Sequence, residues 1–375
     1  MIAWFSKQKQ LADGPQGPSV WARFLRWFGA GLGALLAFAL GAVFLFDPYG
    51  LVPFSLPFKR DLVDLNQRYF YPLVLRQGQY DSFIAGTSTI RLVDPKALDP
   101  VLDGRFANLG MNAATAWEQW KLLDLQLREK GKPKNLVIGL DMRWCDQKAD
   151  TPEGRLTERG FPDFIYDGNR WNDLLYLLNG KTLEIVGRAI GVKLGWREPR
   201  YREDGYRIFT PPEAVFDLAR VRLKLWPDGK PVPLKPVKPP VVLTQQEQQA
   251  LSFPAVDRYL KDILARTRPQ THVVLVWTPA HRSRLPIPGS RDDAEEAVCK
   301  ARAEKLAQAS GAMIVDWRYI SPLTVDDTKF WDAFHYRLPI AGDIVNSIRD
   351  ALAGTVRDPG GLWVRRTPPG WKNGT

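Results

Sequence analysis

The spacing of short apolar runs constrains the fold of this chain more than any other feature of its sequence. Three runs are apolar at nearly every position, as parallel strands covered on both faces should be, at residues 135–141, 271–277 and 312–316. Shorter runs at 81–86 and 105–109 predict two more strands. Segments that fit helices lie at residues 117–130, 255–267, 292–310 and 340–352. This alternation predicts an α/β protein with a parallel sheet and helices on both faces.

Residues 146–251 interrupt the alternation of strands and helices. The first part of this stretch is rich in arginine and aromatic residues, and residues 226–240 are dense in proline. We interpret it as an insertion after the third strand, partly helical and ending in an extended linker. It could form a lid or substrate platform, and a peripheral packing subdomain is the equal alternative. The core is then residues 81–145 and 252–353, followed by an irregular basic tail at 354–375.

The amino-terminal region contains a candidate membrane anchor. Residues 29–46 carry no charged side chain, and a run of this length can cross a bilayer. A cleaved signal peptide is the competing interpretation, but no small-x-small cleavage site precedes Asp47. Basic residues before the run place 1–28 in the cytoplasm, so we expect a single-pass protein of a bacterial inner membrane with a periplasmic domain. Residues 47–80 should lie near the lipid headgroups, with a short helix at 59–69.

The charge and the cysteines limit the possible partners. Lysine and arginine number 52 against 41 aspartate and glutamate residues, a formal charge of +11, but they are spread along the chain. We therefore predict no nucleic-acid partner, and proximity to anionic lipid or an anionic polymer explains the charge more economically. Cys145 and Cys299 could form a disulfide or remain two free thiols. Neither has the spacing of a metal ligand, so we predict no metal and no cofactor.

Ser88 is the first candidate catalytic residue. It follows the first strand in the sequence Gly86-Thr87-Ser88, at the edge of the sheet that commonly holds ligands. A serine there can act as a nucleophile, or it can cap the next helix. Asp332 and His335 stand three residues apart before the last predicted helix. Because an aspartate can fix the tautomer of a histidine that takes a serine proton, these residues predict a catalytic triad.

These segments resemble the SGNH (GDSL-like) superfamily of hydrolases and acyltransferases. The resemblance covers roughly residues 81–145 and 255–352, and its first and last sequence blocks contain Ser88 and the Asp332/His335 pair. It implies a three-layer α/β/α, flavodoxin-like sheet of the SGNH type.

The second and third blocks of the resemblance would form the oxyanion hole. In residues 108–115, Ala113 stands where the family has glycine, with Gly110 and Asn112 close by. Asp141 stands where the family usually has asparagine. Ala113 still offers a backbone N–H, whereas an ionised Asp141 would repel an oxyanion, and the loss of one donor can cost ~3 kcal/mol. Asp141 could instead be protonated or orient another donor.

Two further residues are candidate substrate contacts. His281 follows the predicted strand at 271–277, so it belongs at the same edge of the sheet as Ser88. A loop histidine without a role is the equal alternative. Arg91, three residues after Ser88, could bind an anionic group or cap a carbonyl.

A membrane anchor followed by an SGNH-like domain is similar in layout to envelope-polymer acylation proteins. These include the alginate and cellulose O-acetylation proteins and the D-alanyl transfer protein of teichoic-acid modification, which commonly work beside a membrane-bound O-acyltransferase. The resemblance implies a serine-dependent acyltransferase or esterase that modifies a cell-envelope polysaccharide through an acyl-serine. The alternative is a catalytically degenerate scaffold or glycan-binding subunit, and a plain secreted esterase fits an uncleaved anchor less well.

Overall fold

The computed structural model describes residues 20–52 and 59–371, and it shows an α/β protein built on one sheet. The strands within these residues are β1 (Ser82–Ala85), β2 (Phe106–Asn108), β3 (Asn135–Leu140), β4 (His272–Trp277), β5 (Met313–Asp316) and β6 (Val364–Thr367). They lie in the order β2-β1-β3-β4-β5-β6. The first five run parallel, and β6 is antiparallel to β5. The α/β class is confirmed, and the five predicted strands lie within a residue or two of their expected positions.

Helices connect the strands and continue through the insertion. In the described residues the α-helices are α1 (Val20–Phe46), α2 (Gln67–Arg76), α3 (Pro95–Leu102), α4 (Ala116–Glu129), α5 (Pro152–Arg155), α6 (Asp173–Tyr176), α7 (Gly180–Lys193), α8 (Leu218–Leu225), α9 (Gln245–Ala250), α10 (Lys261–Thr267), α11 (Arg291–Ser310) and α12 (Leu338–Leu352). Short 3-10 helices lie at Met142–Cys145, Asp163–Tyr166, Glu213–Val215, Pro227–Gly229, Arg282–Arg284 and Asp327–Lys329. The helix expected over 255–267 is present, but its first part, Ala255–Leu260, is a π-helix that continues into α10.

Each face of the sheet carries its own hydrophobic core, because successive strand residues point to opposite faces. Ile138 of β3 packs with residues of α2, α4, α10 and α11. Its neighbour Val137 packs with residues of α3 and α12. Helices therefore cover both faces, which leaves the carboxyl edge of the sheet as the open edge. The connections after β1 and β3 lead to opposite sides of the sheet, and α/β proteins commonly bind ligands at such a point.

The carboxyl-terminal tail is not wholly irregular, which corrects the expectation for residues 354–375. Its residues Val364–Thr367 form β6 at the edge of the sheet. The hydroxyl of Thr367 donates to the Ala312 carbonyl at 2.9 Å, and Arg366 pairs with the buried carboxylate of Asp316 at 3.0 Å. The basic side chain of Arg366 therefore neutralises a carboxylate at the end of β5.

The segment before β1 packs into the core of the domain and is not a separate juxtamembrane element, while its position beside the lipid headgroups stays a prediction. Its helix is α2 rather than 59–69, and the side chains of Arg68 and Tyr71 are fully buried. The insertion covers this helix: Tyr166 donates its hydroxyl proton to the Arg68 carbonyl at 2.7 Å, and Gln67 donates to the Tyr201 hydroxyl at 2.9 Å. Residues 53–58 of this segment, and residues 1–19 of the expected cytoplasmic stretch, lie outside the described residues.

The insertion wraps the core as a series of short helices and extended segments, so it is partly helical as expected. Its proline-rich part runs along the loop that follows β4, where the amides of Val237 and Val241 donate to the Pro288 and Gly289 carbonyls at 2.9 Å. The linker is thus attached to the core along its length.

Helix α1 is long and apolar enough to cross a membrane. It has 27 residues and contains a window with a mean hydropathy of 2.2. At 1.5 Å per residue its length is about 40 Å, more than the hydrocarbon core of a bilayer. Val43 is its buried residue, and most of the helix stands clear of the domain.

Cys145 and Cys299 form a disulfide, which settles the alternative that the sequence left open. The bond joins the 3-10 helix after β3 to α11. It thereby ties a loop at the carboxyl edge of the sheet to a helix on one of its faces.

Candidate active site

Ser88 lies in the turn that begins where β1 ends. Gly86 makes this turn with a φ of +147°, a conformation that side chains disfavour. A Cβ atom on Gly86 would also lie 2.7 Å from Ile90 Cγ2 and 3.1 Å from the Gly139 carbonyl oxygen. Only glycine can therefore bring the chain this close to β3 and still present Ser88 at the edge of the sheet.

Ser88, His335 and Asp332 form a continuous hydrogen-bonded triad. The Ser88 Oγ atom lies 2.8 Å from His335 Nε2, although 247 residues separate the two in sequence. On the other side of the ring, His335 Nδ1 lies 2.8 Å from Asp332 Oδ2 and 3.0 Å from Oδ1. Asp332 Oδ1 also accepts from the amides of Phe334 and His335, at 2.8 and 3.0 Å. The carboxylate therefore fixes both the ring and the backbone that carries it.

The geometry defines how protons are arranged in the triad. Asp332 accepts only, so Nδ1 of His335 carries the proton and Nε2 is free to accept from the Ser88 hydroxyl. Burial by itself raises the pKa of Asp332, but hydrogen bonds and charge interaction with His335, together with the two amides, outweigh it and lower that pKa. Asp332 is thus suited to stabilise an imidazolium, while 26 % of the His335 side chain remains exposed to the cleft.

The loop that carries Asp332 and His335 is held from several sides. Its Ala333 carbonyl accepts from the His281 amide at 3.1 Å. The ring of Phe209, from the insertion, meets the His335 ring edge-on with centroids 5.4 Å apart. The guanidinium of Arg91 lies over the Phe209 ring, 4.6 Å from its centre. Phe209 of the insertion therefore helps to hold the loop that carries Asp332 and His335.

Ala113 lines the same cleft as Ser88 and His335. Its φ of +52° is left-handed, a conformation that glycine adopts without strain, and a non-glycine residue there stores strain of about 1 kcal/mol or more. In the part of the chain that the structure describes, the backbone amides of Ser88 and Ala113 donate no hydrogen bond. Two uncommitted N–H groups beside a nucleophile are what an oxyanion hole requires.

Gly110 and Asn112 support this loop and do not line the cleft. The Gly110 amide donates to Asn108 Oδ1 at 3.0 Å, so it is not available to an oxyanion. The Asn112 side-chain oxygen accepts from Arg91, and its carbonyl accepts from Arg68 at 3.2 Å. Their expected contact with an oxyanion or substrate is therefore corrected to a supporting position.

Arg91 and His281 do not reach the substrate cleft either. Arg91 is 2 % exposed, because the turn after Ser88 directs its side chain inward onto Asn112. His281 is fully buried: its Nδ1 accepts from the Ser283 amide at 3.2 Å, and its Nε2 lies 3.1 Å from Asp327 Oδ1. Burial lowers the pKa of His281 despite the carboxylate of Asp327. Both residues hold loops in place instead of contacting substrate.

Both carboxylate oxygens of Asp141 accept hydrogen bonds from the protein. Its Oδ2 accepts from the Thr87 hydroxyl at 2.6 Å and its Oδ1 from the Arg143 amide at 2.9 Å. The hydroxyl of Thr89 lies 3.0 Å from that of Thr87, and Thr278 donates to Thr89 at 2.9 Å. The hydroxyls of Thr87 and Thr89, which flank Ser88 in sequence, therefore belong to a hydrogen-bonded chain that ends at the Asp141 carboxylate.

The cleft beside the triad has a volume of about 950 Å³. It is lined by residues that follow β3, including Arg143, Cys145 and Lys148, and by Ala280 and Phe334. The insertion contributes its first residues to this cleft, while the rest of it packs against the core. The arrangement leaves room for an acceptor molecule next to Ser88.

The sequence contained weak signals for some of the supporting residues and none for others. The Thr115-x-x-Glu118 pattern is a capping box, and it marks the start of α4 directly after the oxyanion loop. Glu118 also binds Arg68 at 2.6 Å, and both side chains are fully buried. Nothing in the local sequence indicates that Arg68 or Phe209 reaches the site.

No protein-family model matches this chain, and no curated protein matches it significantly. Within residues 20–52 and 59–371, no group of three or more histidine, cysteine, aspartate or glutamate residues is placed to hold a metal ion. The geometry around Ser88 is therefore what indicates a function.

Proposed function

We propose that the protein is a membrane-anchored, SGNH-type serine acyltransferase or esterase that acylates a cell-envelope polysaccharide. The observation that carries the proposal is the relay from Ser88 Oγ through His335 to Asp332, with both links at 2.8 Å. The order β2-β1-β3-β4-β5 supports the finer fold assignment, since it is the flavodoxin-like order.

The proposed reaction has two steps that share the same base. As Ser88 Oγ attacks the acyl carbonyl, its proton passes to His335 Nε2, and the amides of Ser88 and Ala113 donate to the oxyanion. Collapse breaks the bond to the leaving oxygen, which takes the proton from His335 and leaves an acyl-serine. An acceptor hydroxyl, from a sugar or from water, then gives its proton to His335 and attacks this ester. Collapse returns the proton to Ser88 and releases the acylated product.

Two features support a location outside the cytoplasm. Disulfides such as Cys145–Cys299 persist in oxidising compartments, and α1 supplies an anchor. In such a compartment, the acyl group would reach Ser88 from a donor across the bilayer, and a membrane-bound O-acyltransferase is the partner of the required chemistry.

The test compares Ser88→Ala with the control Ser252→Ala, which changes an exposed serine far from the triad in sequence. We expect Ser88→Ala to lose covalent labelling by a fluorophosphonate probe and hydrolysis of a 4-nitrophenyl ester, while Ser252→Ala retains both. Unchanged labelling of Ser88→Ala would refute the nucleophile assignment. Full polymer acylation by Ser88→Ala in a deletion strain would instead favour a non-catalytic scaffold or glycan-binding subunit.

A further inference from the structure

An exposed apolar surface lies on the insertion, around α6 and α7. We call it the apolar ledge, and it consists of Trp171, Leu175, Leu178, Leu183, Leu194 and Trp196. Their exposed fractions run from 44 % at Leu183 to 75 % at Trp196. Large apolar side chains grouped in this way on a soluble surface usually mark a place of contact.

Helix α7 has a buried apolar face and an exposed side. Ile185, Val186 and Ala189 are buried in the core. Leu183 and Leu194 are eleven residues apart, about three helical turns, so they lie together on the exposed side, which we call the outer face and which also carries Glu184. The inner face packs α7 against the core, whereas Leu183 and Leu194 remain exposed in the described chain.

The position of α1 indicates what meets the outer face. The carboxyl-terminal end of α1 packs against α7, and Val43 is buried there in the same core as Ile185. The rest of α1 projects away from the domain. Helix α7 therefore lies where α1 leaves the protein, and when α1 crosses a bilayer, the ledge comes to the level of the headgroups.

The side chains around the ledge suit an interface with anionic lipid. Tryptophan and leucine are favoured where headgroups meet acyl chains. Lys181, Lys193 and Arg197 are exposed on and beside α7, although Lys181 pairs with Glu184 at 3.1 Å and Lys193 with Asp61 at 2.8 Å. Basic residues near an anionic membrane surface are attracted to it.

We propose that the apolar ledge docks onto the surface of the bilayer that α1 crosses, with anionic lipid as its partner. The domain then has two membrane contacts, the spanning helix α1 and the apolar ledge. Two contacts fix its orientation, so the cleft beside Ser88 keeps a constant height and direction above the membrane. This inference depends on α1 spanning a membrane and not on the proposed acyl transfer.

Site-directed spin labelling of the full chain tests the proposal. Both native cysteines are in the disulfide, so Leu175→Cys and Leu183→Cys each supply one reactive thiol in the described chain. The control is Val242→Cys in the proline-rich segment, where the native side chain is 85 % exposed. Each labelled protein is reconstituted into vesicles of phosphatidylcholine and phosphatidylglycerol, and collision rates with oxygen and a water-soluble nickel chelate are measured.

We expect the labels at positions 175 and 183 to collide more with oxygen than with nickel, and the label at 242 to show the inverse. Omitting phosphatidylglycerol should shift the ledge labels toward the value at 242. Nickel-dominated collisions at 175 and 183 would overturn the proposal. Shielding from both reagents would also overturn it, because it would mean that protein, not lipid, covers the ledge.

Discussion

Replacement of Asp332 by asparagine tests the triad most directly, because the structure determines how the new amide must sit. Asp332 Oδ1 accepts from two backbone amides at 2.8 and 3.0 Å, and Oδ2 faces only His335 Nδ1 at 2.8 Å. An asparagine oxygen must stay where the two amides point, so its NH₂ group replaces Oδ2. This group can only donate, so the shorter of the two contacts of His335 Nδ1, at 2.8 Å against 3.0 Å to Oδ1, requires Nδ1 to become an acceptor.

The consequence for catalysis follows from the second nitrogen of the ring. With Nδ1 unprotonated, neutral His335 carries its proton on Nε2, which points at the Ser88 oxygen from 2.8 Å. His335 Nε2 then donates a hydrogen bond to Ser88 Oγ and cannot accept the serine proton. In triads of this kind the wrong tautomer lowers kcat about 10⁴-fold, which corresponds to about 5 kcal/mol of transition-state free energy. The two amide bonds remain, so we expect little loss of folding stability.

The assay is hydrolysis of a 4-nitrophenyl ester by the full chain in detergent, with the thermal unfolding midpoint measured on the same samples. We expect Asp332→Asn to lose about 10⁴-fold in kcat at pH 7 with a midpoint within a few degrees of the native protein. The control Asp326→Asn changes a nearby aspartate outside the triad. Activity of Asp332→Asn within tenfold of the native value, at an unchanged midpoint, would refute the assigned tautomer.

Four other changes have defined outcomes. Asp141→Asn should raise esterase kcat/KM about tenfold by removing a charge beside the oxyanion site, an effect of roughly 1.4 kcal/mol, and no increase would contradict this role. Gly86→Ala should destabilise by about 2–4 kcal/mol in chemical denaturation, because of positive φ and overlap with its neighbours, and native stability would contradict the turn geometry. Glu118→Ala should cost about 3–5 kcal/mol because it leaves the buried Arg68 unpaired, and the double change with Arg68→Met should recover part of this loss. Burial lowers the pKa of His281, so the unfolded chain binds a proton more readily and stability should fall as pH drops below about 6.5, a dependence that His281→Gln should reduce in denaturation at pH 7, 6 and 5.

The sequence predicted the sheet and the triad because both depend on local patterns. A parallel strand covered on both faces must be apolar at nearly every position, so a run such as residues 135–140 can be recognised as a strand from the sequence. Ser88 and the Asp332/His335 pair each follow or precede a regular element, and parallel topology brings such positions to one edge of the sheet. These predictions needed no knowledge of distant contacts.

Several of the failed predictions have a different cause, which is long-range packing of charged residues. Arg91 follows Ser88 closely in sequence, but the turn buries its guanidinium against Phe209, more than a hundred residues away. Arg366 lies in a basic tail, yet it pairs with Asp316 across two strands. Arg68 is fully buried against Glu118. A charged residue is expected to be exposed, but a distant partner of opposite sign can allow its burial, and the local sequence does not show that partner.

The aspartate at position 141 does not by itself favour transfer over hydrolysis in the proposed reaction. Both of its oxygens are engaged, with the Thr87 hydroxyl and the Arg143 amide, so it shapes the site without donating to an oxyanion. The amides of Ser88 and Ala113 remain as donors, one fewer than a site with asparagine would offer, and one donor is worth about 10²–10³ in rate. A slower attack by water lengthens the life of an acyl-serine. The same missing donor slows attack by a sugar hydroxyl equally, so any preference for a sugar depends on its binding in the cleft. Asp141→Asn should therefore raise total ester cleavage and leave the ratio of transfer to hydrolysis unchanged.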